Sequence, residues 1–304
     1  MTSVIVFGPT GNVGSYVART AEALGAKVFL AMRDPSKPIP GLSPEQEKNG
    51  NYERVHADLS KPDSITAAVK SSGAKRAFIY LIWGSDPRAT ITALKSAGIE
   101  FVTFLSSFTI AGELRDIAPS EPVPYAHAQV EIALDEIFGE ENYVAIRPGG
   151  FATNIGQFKH GIAAGEVKTY GSDFPMDGIT PGDMGRVSGT VLVQGSKHDQ
   201  RKVYLYGPQL VTYGAAAQAV GKALGKEVKI TTISAQEELD RSVKQGVPRP
   251  LAEYLVSLYE KNKNGVLYPR VNYEVGVQNV ELYTGRPATS FKDWVKENKD
   301  LFSV

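Results

Sequence analysis

The chain has 304 residues, 42% of them hydrophobic and 22% charged, with 33 basic residues against 33 acidic ones and no cysteine. That length can bury a large core, and the composition is that of an ordinary globular protein, with no apolar run long enough to span a membrane. The even charge balance argues against direct nucleic-acid binding through general electrostatics, and the missing cysteines exclude disulfides, thiolate catalysis and cysteine-based zinc sites.

The chain enters an apolar strand, Val4–Phe7, directly after Met1-Thr2-Ser3, which leaves no room for a signal or transit peptide. The expected setting is therefore the cytoplasm, with the nucleus as a second compartment. The strand runs into Gly8-Pro9-Thr10-Gly11-Asn12-Val13-Gly14 and a predicted helix over Val13–Leu24. A strand, closely spaced glycines and a helix together can hold a pyrophosphate. Backbone N–H groups approach the phosphate oxygens, and the helix N-terminus adds partial positive charge. Gly8 is expected at the tight turn, Gly11 at the close approach and Gly14 at the helix–strand contact. The alternative is a structural turn with no ligand.

A second strand, Lys27–Ala31, leads to Ala31-Met32-Arg33-Asp34. Sites selective for NAD place an acid at this strand end, to bind the ribose 2′-hydroxyl. Here a guanidinium comes first. Arg33 can pair with a 2′-phosphate, with help from Lys37, so NADP(H) is favoured over NAD(H). Otherwise Arg33 is a surface residue beside Asp34. After a third strand, Tyr52–His56, Asp58-Leu59 can reach an adenine edge, although Asp58 also suits a turn or helix cap.

Helix Ser64–Ser71, strand Ala77–Leu81, helix Pro87–Ala97 and strand Phe101–Leu105 continue the alternation. The last of these ends at Ser106-Ser107. The Ser107 hydroxyl can hydrogen-bond a substrate carbonyl or satisfy local backbone. Pro119–Pro124 reads as a loop before helix Ala126–Phe138 and strand Tyr143–Ile146. This alternation predicts an α/β fold, a Rossmann-type doubly wound parallel sheet, with residues 1–150 as the dinucleotide-binding domain.

Beyond Arg147-Pro148-Gly149-Gly150 the rhythm changes, and glycines and aromatics dominate up to Gly182. Strands are predicted at Lys202–Tyr206 and Glu227–Ile233, and helices at Val211–Leu224, Ser234–Gln245, Pro250–Lys261 and Phe291–Asn298. Residues 151–304 are expected to form a smaller, mixed C-terminal substrate lobe that also returns elements to the sheet. Trp83, Phe108, Phe151, Phe158, Tyr170 and Phe174 suit an apolar pocket for a small flat substrate, with Asn154, His160 and Asp173 adding polarity. The competing use of these aromatics is as core between sheet and lobe. No spacing of histidines and carboxylates suggests a metal site.

Taken in order, these segments resemble the NmrA-like branch of the atypical short-chain dehydrogenase/reductase superfamily. The resemblance rests on the Gly8–Gly14 motif, Arg33-Asp34, Asp58-Leu59, Ser106-Ser107 and Ala145-Ile146-Arg147-Pro148-Gly149-Gly150-Phe151. Asp183-Met184-Gly185 and Gly207-Pro208 with Val211-Thr212 extend it through most of the chain. It implies a Rossmann-type domain that binds NADP(H) or NAD(H), with a small C-terminal lobe. Members of the family include reductases and isomerases that act on quinones or on aromatic and specialised metabolites. Others have lost catalysis and regulate transcription factors.

The chemistry turns on Tyr125-Ala126-His127-Ala128-Gln129. In related reductases a tyrosine precedes a lysine by one helical turn, and the lysine lowers the tyrosine pKa for proton donation. In isoflavone-reductase-like relatives a lysine at this place acts alone. Here the place holds Gln129, which has no titratable proton. The resemblance therefore leaves three functions open. The first is an NADPH-dependent oxidoreductase with Tyr125 or His127 as the proton donor. The second is a redox-neutral isomerase, cyclase or dehydratase on the same scaffold. The third is a non-catalytic dinucleotide sensor that binds a protein partner.

Overall fold

The computed structural model describes residues 2–262 and 267–303. The first half alternates β1 (Ser3–Phe7), α1 (Gly14–Ala23), β2 (Lys27–Met32), α2 (Pro44–Asn49) and β3 (Tyr52–His56). It continues with α3 (Pro62–Ser72), β4 (Arg76–Tyr80), α4 (Pro87–Ala97), β5 (Phe101–Leu105), α5 (Pro122–Phe138) and β6 (Tyr143–Pro148). Then come α6 (Lys159–Ala164), β7 (Glu166–Thr169), β8 (Pro175–Met176), α7 (Pro181–Gln194), β9 (Lys202–Leu205), β10 (Val211–Thr212) and α8 (Tyr213–Ala223). The chain ends with β11 (Lys229–Thr232), α9 (Ala235–Lys244), α10 (Arg249–Lys261), α11 (Tyr273–Thr284) and α12 (Phe291–Glu297).

The central sheet has seven strands in the order β3-β2-β1-β4-β5-β6-β9, and every pairing is parallel. Alternation along each strand divides the core between the two faces. Val4 and Val6 join Val28 and Leu30 on the α1–α7 side, whereas Ile5 and Phe7 join Phe29 and Ile79 on the α3–α4 side. The strand order reverses between β1 and β4, which opens a crevice at their C-terminal ends. The Rossmann-type sheet expected from the sequence is therefore present, and its last strand is the predicted return at Lys202–Leu205.

Three of the differences from the expectations bear on how the helices pack. The proline-rich stretch is not a loop throughout, because α5 starts at Pro122. Proline fits the first helical turn, where its missing N–H has no intrahelical partner to lose. Helix α7 was not anticipated, because Gly182, Gly185 and Gly189 depress its helix propensity. Those glycines let α7 lie close on α1. A Cβ at Gly185 would sit 2.3 Å from Tyr16 Cβ, and one at Gly189 would sit 2.7 Å from Thr20 Cβ. Helix α11 was also missed. Its Gly276 accommodates the Tyr206 ring, 2.3 Å from where a Cβ would stand.

A smaller core of Phe158, Ile162, Met176, Val220, Phe291 and Trp294 lies among α6, α8 and α12. Two small sheets accompany it: β7 with β11, parallel, and β8 with β10, antiparallel.

Candidate functional site

The glycine-rich turn is built from steric necessities. Gly8 has φ +70°, and a Cβ on it would meet Tyr80 Cε1 at 2.6 Å. The Gly8 carbonyl accepts the Gly11 N–H at 3.0 Å, and a Cβ at Gly14 would come within 2.2 Å of the same oxygen. A Cβ at Gly11, by contrast, would meet only the Gly8 carbonyl, at 3.3 Å, and would otherwise point into open space. Gly11 is exposed at the mouth of a hollow of about 240 Å³, which Thr10, Val13, Gly14, Tyr80 and Leu105 also line. Asn12 lies exposed on the turn.

Beside this hollow, Arg33 is exposed and lines two further depressions. One of about 390 Å³ is shared with Thr10, Asp34 and Lys37. The other, about 370 Å³, is shared with Asp58, Leu59, Tyr80 and Trp83. The loop bearing Arg33 and Lys37 is braced from β3. Arg54 donates to the carbonyls of Pro35 and of Lys37, the latter at 2.8 Å, while Glu47 holds its other edge. Asp34 is turned inward on its loop, accepting from the Ser36 hydroxyl at 2.6 Å and its N–H at 2.9 Å. Those two bonds hold its carboxyl below the usual range. Asp58 does the same with Ser60, at 2.7 and 3.0 Å, and is likewise held low. One Asp58 oxygen is thus committed to a turn, and the other lies 3.7 Å from Lys61.

The expected catalytic residues are less tightly gathered. Ser106 donates to buried Glu131 at 2.6 Å. The Ser107 hydroxyl shares a 2.9 Å hydrogen bond with Thr109. Tyr125 is half-buried against the small cluster of Ile110, Leu114, Ile117 and Ala128. His127 donates from Nδ1 to the Val123 carbonyl at 2.9 Å, with its ring 6.4 Å from those of both Trp83 and Phe104. Burial lowers its pKa, against the opposing pull of that carbonyl and of Glu131. Gln129 is half-buried on the same helix. None of Ser107, Tyr125, His127 and Gln129 lines the hollows just described or the larger cavity described below.

Beneath these residues lies a charge pair that sequence reasoning missed. Arg147 and Glu131 are both buried and meet edge-on, Nε to Oε1 at 3.0 Å and Nη2 to Oε2 at 2.6 Å. Tyr204 accepts from Arg147 Nη1 at 2.9 Å. The sequence marks the segment around Arg147 as part of a motif, but nothing in it marks Glu131 as the partner. The network ties α5 to β5, β6 and β9, beneath the strand ends where the hollows lie.

A cavity of about 740 Å³ opens between the strand ends and the C-terminal elements. Phe108, Asn154 and His160 line it as expected, together with Tyr213, Tyr259, Tyr268 and Arg270. The other expected pocket aromatics lie elsewhere. Trp83 is 56% exposed beside the Arg33 depression. Phe158 and Phe174 are buried behind the wall, packed edge-on against Tyr213 and Tyr259 respectively. Phe151 packs on the main core and bridges to Ile179. Tyr170 stands behind Tyr259. Phe151, Phe158 and Phe174 do what aromatics at a sheet–lobe boundary commonly do, which is fill core. Among the described residues no group of histidine and carboxylate side chains has metal-binding geometry, and no helix is long and apolar enough to cross a membrane.

Comparison with known proteins agrees with this architecture. The NmrA-like family model matches residues 1–295. The chain is 39% identical to the nitrogen metabolite regulation-like protein bik4 of Gibberella fujikuroi, over 97% of this chain and 96% of that one. It is 26% identical to the NAD(P)H azoreductase of Xenophilus azovorans, over 99% of each chain. Its fold is similar to that of the Citrobacter sp. triphenylmethane reductase solved with NADP(H), with TM-score 0.71 and 18% identity, covering 97% of this chain and 99% of that one. It is also similar to the Escherichia coli NADPH-dependent quinone oxidoreductase QOR2 solved with NADPH, with TM-score 0.74 and 19% identity, covering 98% and 99%.

Proposed function

The chain belongs to the NmrA-like family, and from that premise we propose that it is an NADP(H)-binding oxidoreductase acting on a small aromatic or conjugated carbonyl compound of the quinone type. The observation that carries this reading is the run of sites along the C-terminal ends of the strands. The glycine-turn hollow reaches Leu105, and the aromatic cavity begins just beyond it at Phe108. A dinucleotide laid on the first would bring its reactive end to the mouth of the second.

The residues fit such a cofactor. The open space over Gly11 leaves room for a pyrophosphate against bare backbone. Arg33 and Lys37 would hold a 2′-phosphate, on a loop that Arg54 keeps in place. Asp58 and Leu59 border the depression that would take the adenine. When bound, the cofactor supplies or accepts a hydride. The chain's own part is to bind, orient and protonate. Gln129 has no titratable proton, so we assign the proton source to Tyr125, His127 or water; Ser107 would have to exchange its hydrogen bond with Thr109 for one to the substrate carbonyl. Residues 151–304, in this reading, form the substrate lobe over the dinucleotide-binding half.

A second reading is a dinucleotide-dependent regulator. It is favoured by Gln129 and by the regulatory name of the relative at 39% identity. A redox sensor must bind NADP⁺ and NADPH with different affinities, because only a differential affinity shifts an equilibrium. Steady-state NADPH oxidation with quinones, enals and aryl ketones separates the two. The oxidoreductase reading predicts turnover with at least one class. Tight NADPH binding with no turnover across the panel, and unequal affinity for the two redox states, would favour the regulator.

A further inference from the structure

The glycine turns after β6 and β9 converge on one buried acid that the cofactor reading leaves unused. Asp177 is fully buried and accepts the N–H groups of Gly150 at 3.1 Å, Ile179 at 3.3 Å and Gly207 at 3.5 Å. A Cβ at Gly149 would lie 2.4 Å from its carboxylate oxygens, and one at Gly207 would lie 1.9 Å from its carbonyl. Two motif glycines thus exist to let the backbone wrap this residue.

The fourth partner is Arg270, whose Nε donates to Asp177 Oδ2 at 3.3 Å and whose Nη2 donates to the Pro175 carbonyl at 2.8 Å. Two anchors fix the guanidinium plane along one edge. The end-on edge, Nη1 with the second Nη2 hydrogen, has no hydrogen-bond partner among the described residues. Arg270 lines the 740 Å³ cavity, only 12% exposed, with its guanidinium 6.0 Å from the Phe108 ring centroid. The cavity's buried acid, Glu238, is occupied elsewhere, by Arg241, the Thr169 hydroxyl and the Tyr170 N–H. The remaining wall divides between aromatic and aliphatic side chains and neutral polar ones such as Asn154, Gln157 and Gln245, and Lys159 and His160 stand among its charged or titratable residues.

We propose that this cavity recognises a planar conjugated compound carrying a carboxylate, which Arg270 binds through its end-on edge. A guanidinium fork matches two coplanar oxygens, and a partly desolvated one gains most from an anion that completes its hydrogen bonds. Phe108, Tyr259 and Tyr268 supply the flat apolar surroundings for the ring system. The proposal rests on reading this cavity as the substrate site. It is independent of whether hydride transfer follows.

The test uses anthraquinone-2-carboxylate and its methyl ester, titrated calorimetrically into the NADP⁺-loaded protein, where no reduction occurs. The wild type should bind the acid roughly tenfold or more tighter than the ester, the worth of one charge-assisted pair. Arg270→Gln should erase that preference and leave ester affinity unchanged, while Arg270→Lys should restore only part of it. Should Arg270→Gln not fold with Asp177 unpaired, the double variant Asp177→Asn/Arg270→Gln keeps the buried charge balanced and should show the same loss. Equal wild-type affinity for acid and ester, or equal weakening of both in the variant, would overturn the proposal. Acid preference without NADPH oxidation would sustain it and count against the oxidoreductase reading. Turnover of the ester without acid preference would do the reverse.

Discussion

Gly11 and Gly14 lie three positions apart in one turn, yet alanine at each should fail in a different way. At Gly14 the new methyl would stand 2.2 Å from the Gly8 carbonyl oxygen and 2.9 Å from its carbon, both backbone atoms. The turn must open by about an ångström, since a relaxed carbon–oxygen contact is nearer 3.4 Å. Strain of this kind costs about 1–3 kcal/mol, and helix propensity returns at most about 1 kcal/mol. A net loss of roughly 1–2 kcal/mol is therefore expected. At Gly11 the methyl meets one oxygen at 3.3 Å, and this glycine is not among those with positive φ. Reduced entropy of the unfolded chain offsets that slight crowding, so stability should stay within about 0.5 kcal/mol of wild type. The methyl would instead occupy the space assigned to the pyrophosphate. Overpacking by one methyl, about 1–3 kcal/mol, would weaken NADPH by roughly 5- to 150-fold. Urea denaturation and fluorescence titration with NADPH measure the two effects separately. A Gly11→Ala variant that binds NADPH like wild type, or a Gly14→Ala variant as stable as wild type, would refute the assignment.

Two further outcomes follow from the packing and burial described above. Gly185→Ala should lose about 1–2 kcal/mol by forcing α7 off α1, whereas Gly182→Ala should be near neutral, because its nearest neighbour is the flexible Arg186 Nη1 at 3.1 Å. Urea midpoints of the pair check this, and equal losses would contradict it. His127 has a folded-state pKa lowered from 6.5 by burial, so the unfolded chain takes up its proton first as pH falls. Its neutral ring therefore contributes stability that declines as pH drops through about 6.5 toward the folded pKa. The stability advantage of wild type over His127→Gln should shrink across that window, and a constant difference between pH 7.5 and 5 would show that the imidazole does not titrate on unfolding.

Much of the nucleotide-binding half was legible because its signals are local. The strand Val4–Phe7, the spaced glycines and the helix behind them lie in one continuous stretch, and the unbroken apolar run Val28-Phe29-Leu30 marks a strand buried on both faces. What sequence reasoning missed depends on distant contacts. Helix α7 looks like a glycine-rich loop until α1 is placed against it. The start of α5 was hidden by prolines that fit a first helical turn. Arg270 is separated from Asp177 by 93 positions, and nothing local marks either as half of a pair. The pocket aromatics failed for a related reason. Position near a strand end does not say which way a ring points, and Phe158 and Phe174 turn into the core while Phe108 faces the cavity.

The preference of the groove for NADPH is tested most directly by titrating NADPH and NADH into the wild type and Arg33→Ala. The guanidinium and a 2′-phosphate would form a charge-assisted pair on an exposed shelf, worth about 1.5–3 kcal/mol. Wild type should bind NADPH more tightly than NADH, and Arg33→Ala should weaken NADPH by roughly 10- to 150-fold while leaving NADH nearly unchanged. Equal losses for both nucleotides, or no loss for either, would contradict a phosphate-binding role for Arg33.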